Sequence, residues 1–375
     1  MSDSKKFLVV CLCLTVLVGV GFAQRIQQVQ GDSPYIKGAK PMYAAIPRSV
    51  QLAPGQDAPQ VQIPLWHTTF VFGGSTFNVT MVGTDPKAGS ATSNIPMVIV
   101  PLAFKFSDGT LLSAKQLVCG DTFTSVQRVK KSPLISKAVT FKPGGTNVGK
   151  TQYEDAFQRA NFWSSVSTVS PNYHVLFSPV SMKPLQTINV PAASGHTVAG
   201  PCARIGEVDI NFFDNIAMNL ITQLGIPANT LPLFLDYNSF WTSGGCCILG
   251  YHSTNNAGTQ AYAVAAYSDP GIFSVPIQDI HALSHELGEW MDDPLLPVNI
   301  VPAWGHVGQV GGCQNNLEVG DPVTGNAFNV TLGGFTYHPE DLVFYPWFAR
   351  ISPSTSVNGW YTFLNGFAAP QAVCH

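Results

Sequence analysis

Charge is scarce in this chain. Charged residues make up 11% of its 375 positions, against about 25% in an ordinary soluble domain. No run of Lys or Arg and no basic-aromatic alternation occurs, and the formal net charge is −3, so nucleic acid is not an expected partner. No apolar stretch after residue 23 approaches the ~20 residues a membrane span needs. There is no C-x-x-C pair to support a four-cysteine zinc site. There is no phosphate-binding glycine loop, and Ser243-Gly244-Gly245 lacks the G-x-S-x-G frame of a serine hydrolase. Neither internal repeats nor low-complexity blocks appear.

What is present points to a β-rich extracellular protein. Apolar residues make up 45%, enough for a sizeable core, while Gly 34 and Pro 28 imply many turns. Lys5 and Lys6 precede an apolar run, FLVVCLCLTVLVGVGF, from Phe7 to Phe22. Gly21-Phe22-Ala23 then offers small residues where a signal peptidase reads, so residues 1–23 are expected to be a signal peptide cleaved before Gln24. The alternative, an uncleaved anchor, fits less well because the run is short for a span. The expected location is secreted, with no membrane association after cleavage. Cleavage discards Cys11 and Cys13 and leaves Cys119, Cys202, Cys246, Cys247, Cys313 and Cys374. An even set in an exported chain favours disulfides, although the spacing does not choose among the pairings. The adjacent Cys246 and Cys247 are expected to bond to two distant partners rather than to each other. Asn78-Val79-Thr80 and Asn329-Val330-Thr331 fit glycosylation sequons, relevant only in a eukaryotic secretory route.

The expected fold class is α+β. Residues 24–60 read as an extended lead-in punctuated by Pro34, Pro41, Pro47, Pro54 and Pro59. Residues 61–202 read as a β-rich, sandwich-like domain. IPLWHTTFVFGGSTFNVTMVG alternates bulky and polar residues around Gly73-Gly74, a hairpin signal, and residues 61–150 are expected to be mainly antiparallel. His67 is expected to be an ordinary strand histidine. YEDAFQRANFWSSV, from Tyr153, has helical spacing. Residues 203–375 form the second expected domain. It opens on a helix whose apolar positions Val208, Phe212, Ile216, Leu220 and Leu224 recur at fours, stopped by Gly225 and Pro227. Three strands follow, at 231–241, 246–253 and 260–268. A helix from Asp279 to Asp293 is closed by Pro294.

That last helix carries the chemistry. It reads HALSHELGEWMDDP from His281. The usual zinc-protease helix is H-E-x-x-H, with two ligands four apart and a glutamate between them as general base. Here the fifth position is Glu289. On a helix His281, His285 and Glu289 lie on one face, and Glu286 lies one step round from His285. Taking His285 and Glu289 as ligands makes Glu286 the base, with every role at its usual offset. Zinc accepts carboxylate oxygen, so Zn²⁺ or another divalent cation fits, with some shift towards harder ions such as Mn²⁺. The pair His281 and His285 is a second option that puts Glu286 in an unusual place. A third ligand is required, and Glu318 in NNLEVGD supplies it, with Asp321 as an orienting neighbour. Asp293 and His306 are rivals. Asp279 near the helix start needs no catalytic role, since negative charge is favoured there. A polar surface helix without metal is the plain alternative. However, five carboxylates within fifteen residues of a charge-poor chain would be costly to bury without a cation.

Ser284-His285-Glu286-Leu287-x-Glu289 followed by Asp293-Pro294, the later Glu318-Val319-Gly320-Asp321, and the strand Cys247-Ile248-Leu249-Gly250-Tyr251-His252 together resemble the secreted EXORDIUM-like (phosphate-induced) family and its bacterial relatives. The resemblance covers about residues 208–350. It implies a zincin-like mixed α/β domain with an active-site helix beneath the sheet. By position it implies His285, Glu289 and Glu318 as metal ligands and Glu286 as the catalytic base. It also implies that AYAVAAYS, just upstream of the helix, pairs with an extended peptide or protein substrate. The chain departs from the family in having His281, and in having Pro322-Val323 where relatives keep a cysteine. The expected activity is that of a metallopeptidase. The alternative is a non-catalytic secreted cell-surface or cell-wall protein with a structural metal or none.

Overall fold

The computed structural model describes residues 31–48 and 61–375. The signal peptide expected at 1–23 and part of the lead-in lie outside the described residues. The chain is mixed α+β and strand-rich. The described elements start with β1 (Met42–Ile46) and the hairpin β2 (Leu65–Phe72) and β3 (Ser75–Val82). Gly73 and Gly74 join the hairpin with φ of 58° and 81°, the left-handed pair a two-residue turn demands. Next come β4 (Thr92–Phe106), β5 (Leu111–Ser113), α1 (Ser125–Lys131), β6 (Val139–Phe141), β7 (Gly149–Thr151), α2 (Tyr153–Asn161) and α3 (Trp163–Val166). Strands β8 (His174–Met182), β9 (Gln186–Val190), β10 (Gly195–Val198) and β11 (Ile205–Asp209) lead to α4 (Ile210–Gln223). Strands β12 (Leu231–Tyr237), β13 (Ser239–Thr242), β14 (Ile248–Thr254) and β15 (Ala261–Tyr267) lead to α5 (His281–Asp292). The chain ends with β16 (Ile300–Val307), β17 (Val310–Asn316), β18 (Val330–Leu332), β19 (Phe335–Tyr337) and α6 (Tyr345–Phe348).

One 11-stranded sheet organises the molecule, in the order β10-β11-β13-β14-β15-β12-β4-β5, with β1 on β14 and β8 and β9 on β4. Strands from both sides of Cys202 therefore belong to the same sheet. The expectation of mainly antiparallel pairing within residues 61–150 holds for β2 with β3, β4 with β5 and β6 with β7. The later strands β8, β9 and β12 run parallel to β4. Local alternation reports burial of faces and is silent on strand direction. Every residue of β12, β14 and β15 is buried, as expected of strands covered on both faces. Residue parity assigns the covers. Tyr251 packs edge-on against Tyr262, whose hydroxyl donates to Asp214 of α4. The neighbouring positions Gly250 and His252 face Glu286 of α5 instead. So α4 and α5 lie on opposite faces.

Element boundaries moved where side chains intervene. Val208 lies in β11, and Asp209 caps α4 by accepting from the Phe212 N–H at 2.8 Å, so the helix starts later than its apolar spacing suggested. The strand expected over 231–241 breaks at Asn238, whose φ is 53°. The cysteines pair as Cys119–Cys202, Cys313–Cys374 and Cys246–Cys247. This corrects the expectation that the adjacent pair would seek distant partners: the other four cysteines satisfy one another. Three such pairs are compatible with an extracellular protein. No helix among the described residues is long and apolar enough to cross a membrane.

Candidate metal centre

Helix α5 is buried along its whole length. Leu283, Leu287 and Trp290 enter the core, so its polar residues point into a second, enclosed environment rather than to water. Two glycines make the space. A Cβ on Gly250 of β14 would lie 2.6 Å from Glu286 Cγ, and one on Gly320 would lie 2.3 Å from His285 Nδ1. Gly320 has φ −90°, so its role is steric and not conformational. Gly320→Ala should therefore cost about 1–3 kcal/mol by overpacking and weaken metal binding, read by denaturant titration with and without cation. Unchanged stability would mean the ring is free to move.

His285 is held on one side and open on the other. Its Nδ1 lies 2.6 Å from Glu340 Oε2. Glu340 is fixed by the Gly325 N–H donating to Oε1 at 3.1 Å and by the Ser284 hydroxyl, which accepts from the Glu340 N–H at 2.9 Å. A carboxylate on one imidazole nitrogen leaves the other nitrogen available as a ligand. That nitrogen, Nε2, lies 3.0 Å from Glu289 Oε1 and 3.6 Å from Asp321 Oδ1. Glu289 Oε1 also accepts the N–H groups of Gly320 and Asp321 at 3.1 and 3.2 Å.

The opposite oxygen of Glu289 serves a second cluster. Glu289 Oε2 lies 3.8 Å from His252 Nδ1, and His252 Nε2 lies 3.9 Å from Glu318 Oε2. His252 Nδ1 is also 3.2 Å from Glu286 Oε2. Two groups thus have metal-ligand proximity, His252 with Glu289 and Glu318, and His285 with Glu289 and Asp321. Glu289 is common to both. The expected ligands divide between the two groups, His285 in one and Glu318 in the other, with Glu289 shared, and the expected base Glu286 faces His252. His281 stands apart from both groups, its Nδ1 hydrogen-bonded to the Tyr43 hydroxyl at 2.7 Å. The rival His306 is exposed and lies near the disulfide Cys313–Cys374. Asp293 is buried and belongs to neither group. Asp279 does not cap the helix dipole alone; it accepts from the Ile280 and His338 backbone N–H groups.

Four donor atoms of this centre are buried without a hydrogen-bond partner: His252 Nε2, His285 Nε2, Glu286 Oε1 and Glu318 Oε2. Among the described residues no Lys or Arg forms an ion pair with Glu286, Glu289, Glu318 or Asp321. Enclosed carboxylates without a cation must take up protons. Burial lifts Glu286 and Glu318 well above the ordinary carboxyl range. Burial would also raise Glu289, but the nearby charge of His285 outweighs it and holds Glu289 down to about 2. Burial lowers His252 to about 4. It would lower His285 too, but Glu289 and Glu340 override it and raise that imidazole well above its usual value. The donor set of nitrogen and carboxylate oxygen suits Zn²⁺ or a similar divalent ion, and binding it would release these protons.

Two carboxyls outside the centre set a separate pH dependence. Burial pushes Asp292 and Asp341 up to about 7, against about 3.9 in an unfolded chain. A raised carboxyl contributes stability that is fully present below about pH 4 and is lost as pH rises through about 7. With chelator present, denaturant stability should fall from pH 5 to pH 8; a flat or rising profile would contradict these burial assignments.

Sequence reasoning missed His252 as a site residue, although its strand was singled out and Gly250 and His252 share one strand face. It missed Glu340, Tyr43 and Gln309, for which no spacing signal exists. It also expected AYAVAAYS to pair with an extended substrate. AYAVAAYS forms β15, whose two edges are bonded to β12 and β14, so no peptide can add to it. No protein-family profile, curated protein or solved structure matches the chain.

Proposed function

We propose that this chain is an exported metal-dependent hydrolase acting on peptide bonds, with α5 as the active-site helix of a zincin-like layout related to the EXORDIUM-like proteins. The observation that carries this reading is the set of four unpartnered, buried donor atoms gathered about Glu289. In this reading Zn²⁺ or another divalent cation is held by Glu289 with either His285 and Asp321 or His252 and Glu318, so the expected set His285, Glu289 and Glu318 draws on both groups. When bound, such a cation polarises a carbonyl and makes water more acidic.

The remaining work falls to side chains of the chain itself. Glu286 has one unpartnered oxygen to accept a proton from water, and its other oxygen faces His252 Nδ1 at 3.2 Å. Glu340 orients His285, and the amides of Gly320 and Asp321 orient Glu289.

A second reading is favoured by the enclosure of the centre. Ligand side chains with at most 2% exposure, as for His252, His285, Glu289 and Glu318, would also suit a closed structural metal in a non-catalytic secreted protein. Elemental analysis of the purified chain, paired with a casein-hydrolysis assay with and without chelator, separates the cases. The peptidase reading expects about one divalent ion per chain and hydrolysis that chelator abolishes. Metal without hydrolysis selects the structural reading, and absence of metal removes both.

A further inference from the structure

Strand β14 has an edge that β13 leaves mostly uncovered. Strand β13 meets it only at Trp241 and Ile248. Beyond that bridge the edge is taken by β1, which runs parallel to it, with Ala44 opposite Tyr251, Ala45 opposite His252 and Ile46 opposite Ser253. An open strand edge is a template for another extended chain. Residues 40–46 use it as a bound peptide would. The Lys40 N–H donates to the Cys246 carbonyl at 3.1 Å, the Cys247 N–H to Lys40 O at 3.0 Å, and the Met42 N–H to Cys247 O at 3.0 Å.

The register slips between Met42 and Ala44, and at that slip Tyr43 turns into the metal centre. Its ring stacks on His285 with centroids 3.5 Å apart and planes 17° from parallel. Its hydroxyl meets His281 Nδ1 at 2.7 Å. Its backbone is gripped from the other side by one side chain. Gln309 Oε1 accepts the Tyr43 N–H at 2.7 Å, and Gln309 Nε2 donates to Tyr43 O at 3.1 Å. The same Nε2 donates to Asp321 Oδ1. A carboxamide that pairs with both polar groups of one residue recognises main chain and is indifferent to the side chain on it. Alongside lies a groove of about 580 Å³, lined by Gly38, Lys40, Gly244, Gly245, Gly308 and Gln309 among others.

We propose that the β14 edge and the Gln309 carboxamide form a binding groove for an extended polypeptide with an aromatic residue over His285, and that residues 40–46 occupy it in cis. This rests on the peptidase reading only for what happens to a bound peptide; the groove is defined by hydrogen bonds independent of metal. It also accounts for the enclosure of the centre, because Tyr43 is the cover. The covering segment limits access: an outside peptide binds only in the fraction of molecules whose own segment has left.

The test uses the full chain and a fluorescein-labelled synthetic peptide of residues 38–48, followed by anisotropy. Wild-type chain should bind it weakly. The Tyr43→Ala chain, with the ring and hydroxyl contacts gone, should bind it at least about 10-fold more tightly. Gln309→Ala in that background, or Tyr43→Ala in the peptide, should reverse the gain. A folded Tyr43→Ala chain that binds no better than wild type overturns the proposal. If that variant does not fold, hydrogen exchange on wild type decides. The amides of residues 42–46 should exchange at least about 100-fold faster than those of β15, and equal protection overturns it. Peptide capture without hydrolysis would leave the groove standing and remove the peptidase reading. Hydrolysis without gain on Tyr43→Ala would do the reverse.

Discussion

Glu289→Ala is expected to abolish metal binding and, with it, the stabilisation that a cation confers. Glu289 belongs to both ligand groupings, His252 with Glu318 and His285 with Asp321, so no rearrangement around one histidine can replace it. Its loss also leaves the Gly320 and Asp321 N–H groups without their acceptor. A ligand that binds only the native state stabilises it by about 4 kcal/mol at a thousandfold excess over its Kd, equivalent to roughly 5–10 °C in melting temperature for a chain of this size. Wild-type chain should lose that increment on adding chelator. The Glu289→Ala chain should melt at the same temperature with chelator or with added Zn²⁺. His252→Ala and Asp321→Ala then distinguish which grouping dominates, since only the variant that removes a true ligand should lower metal content. A wild-type melting curve indifferent to chelator and to Zn²⁺ would sink the metal centre altogether.

Glu286→Gln should leave metal content intact and lower kcat for casein hydrolysis by about 10²–10⁴, the range expected for loss of a general base. The swap keeps the volume against Gly250, where space is tight, and removes only the basic oxygen. Metal content therefore acts as the internal control: an inactive variant that has also lost its metal says nothing about the base. Retention of full activity would transfer the proton-accepting role elsewhere, with His252 the neighbour to test next. Because the cation displaces protons from Glu318 and its neighbours, metal affinity should rise with pH, opposite in sign to the chelated chain's falling stability.

The motif helix was legible because its information is local. The spacing of His281, His285 and Glu289 predicts one helix face whatever surrounds it, and α5 has that face. The hairpin around Gly73-Gly74 was legible for the same reason: two left-handed residues between alternating strands have few other uses. Glu318 could be named from the short motif around it. The three strands expected at 231–241, 246–253 and 260–268 were legible as apolar runs bounded by turns, although the first divides into β12 and β13.

What only the tertiary structure decided is pairing at a distance. The parallel pairing of β4 with β8, β9 and β12, the pairing of both edges of β15, and the partnership of Cys246 with Cys247 all depend on which segments meet across the sheet. No local period encodes that. The same holds for Glu340 behind His285 and for Tyr43 above it, residues 55 and 242 positions away from His285 in the chain. Local spacing specifies which atoms a helix can present. The electrostatics of a buried centre depend on what folds over it, because desolvation and neighbouring charge are properties of the assembled volume and not of the segment.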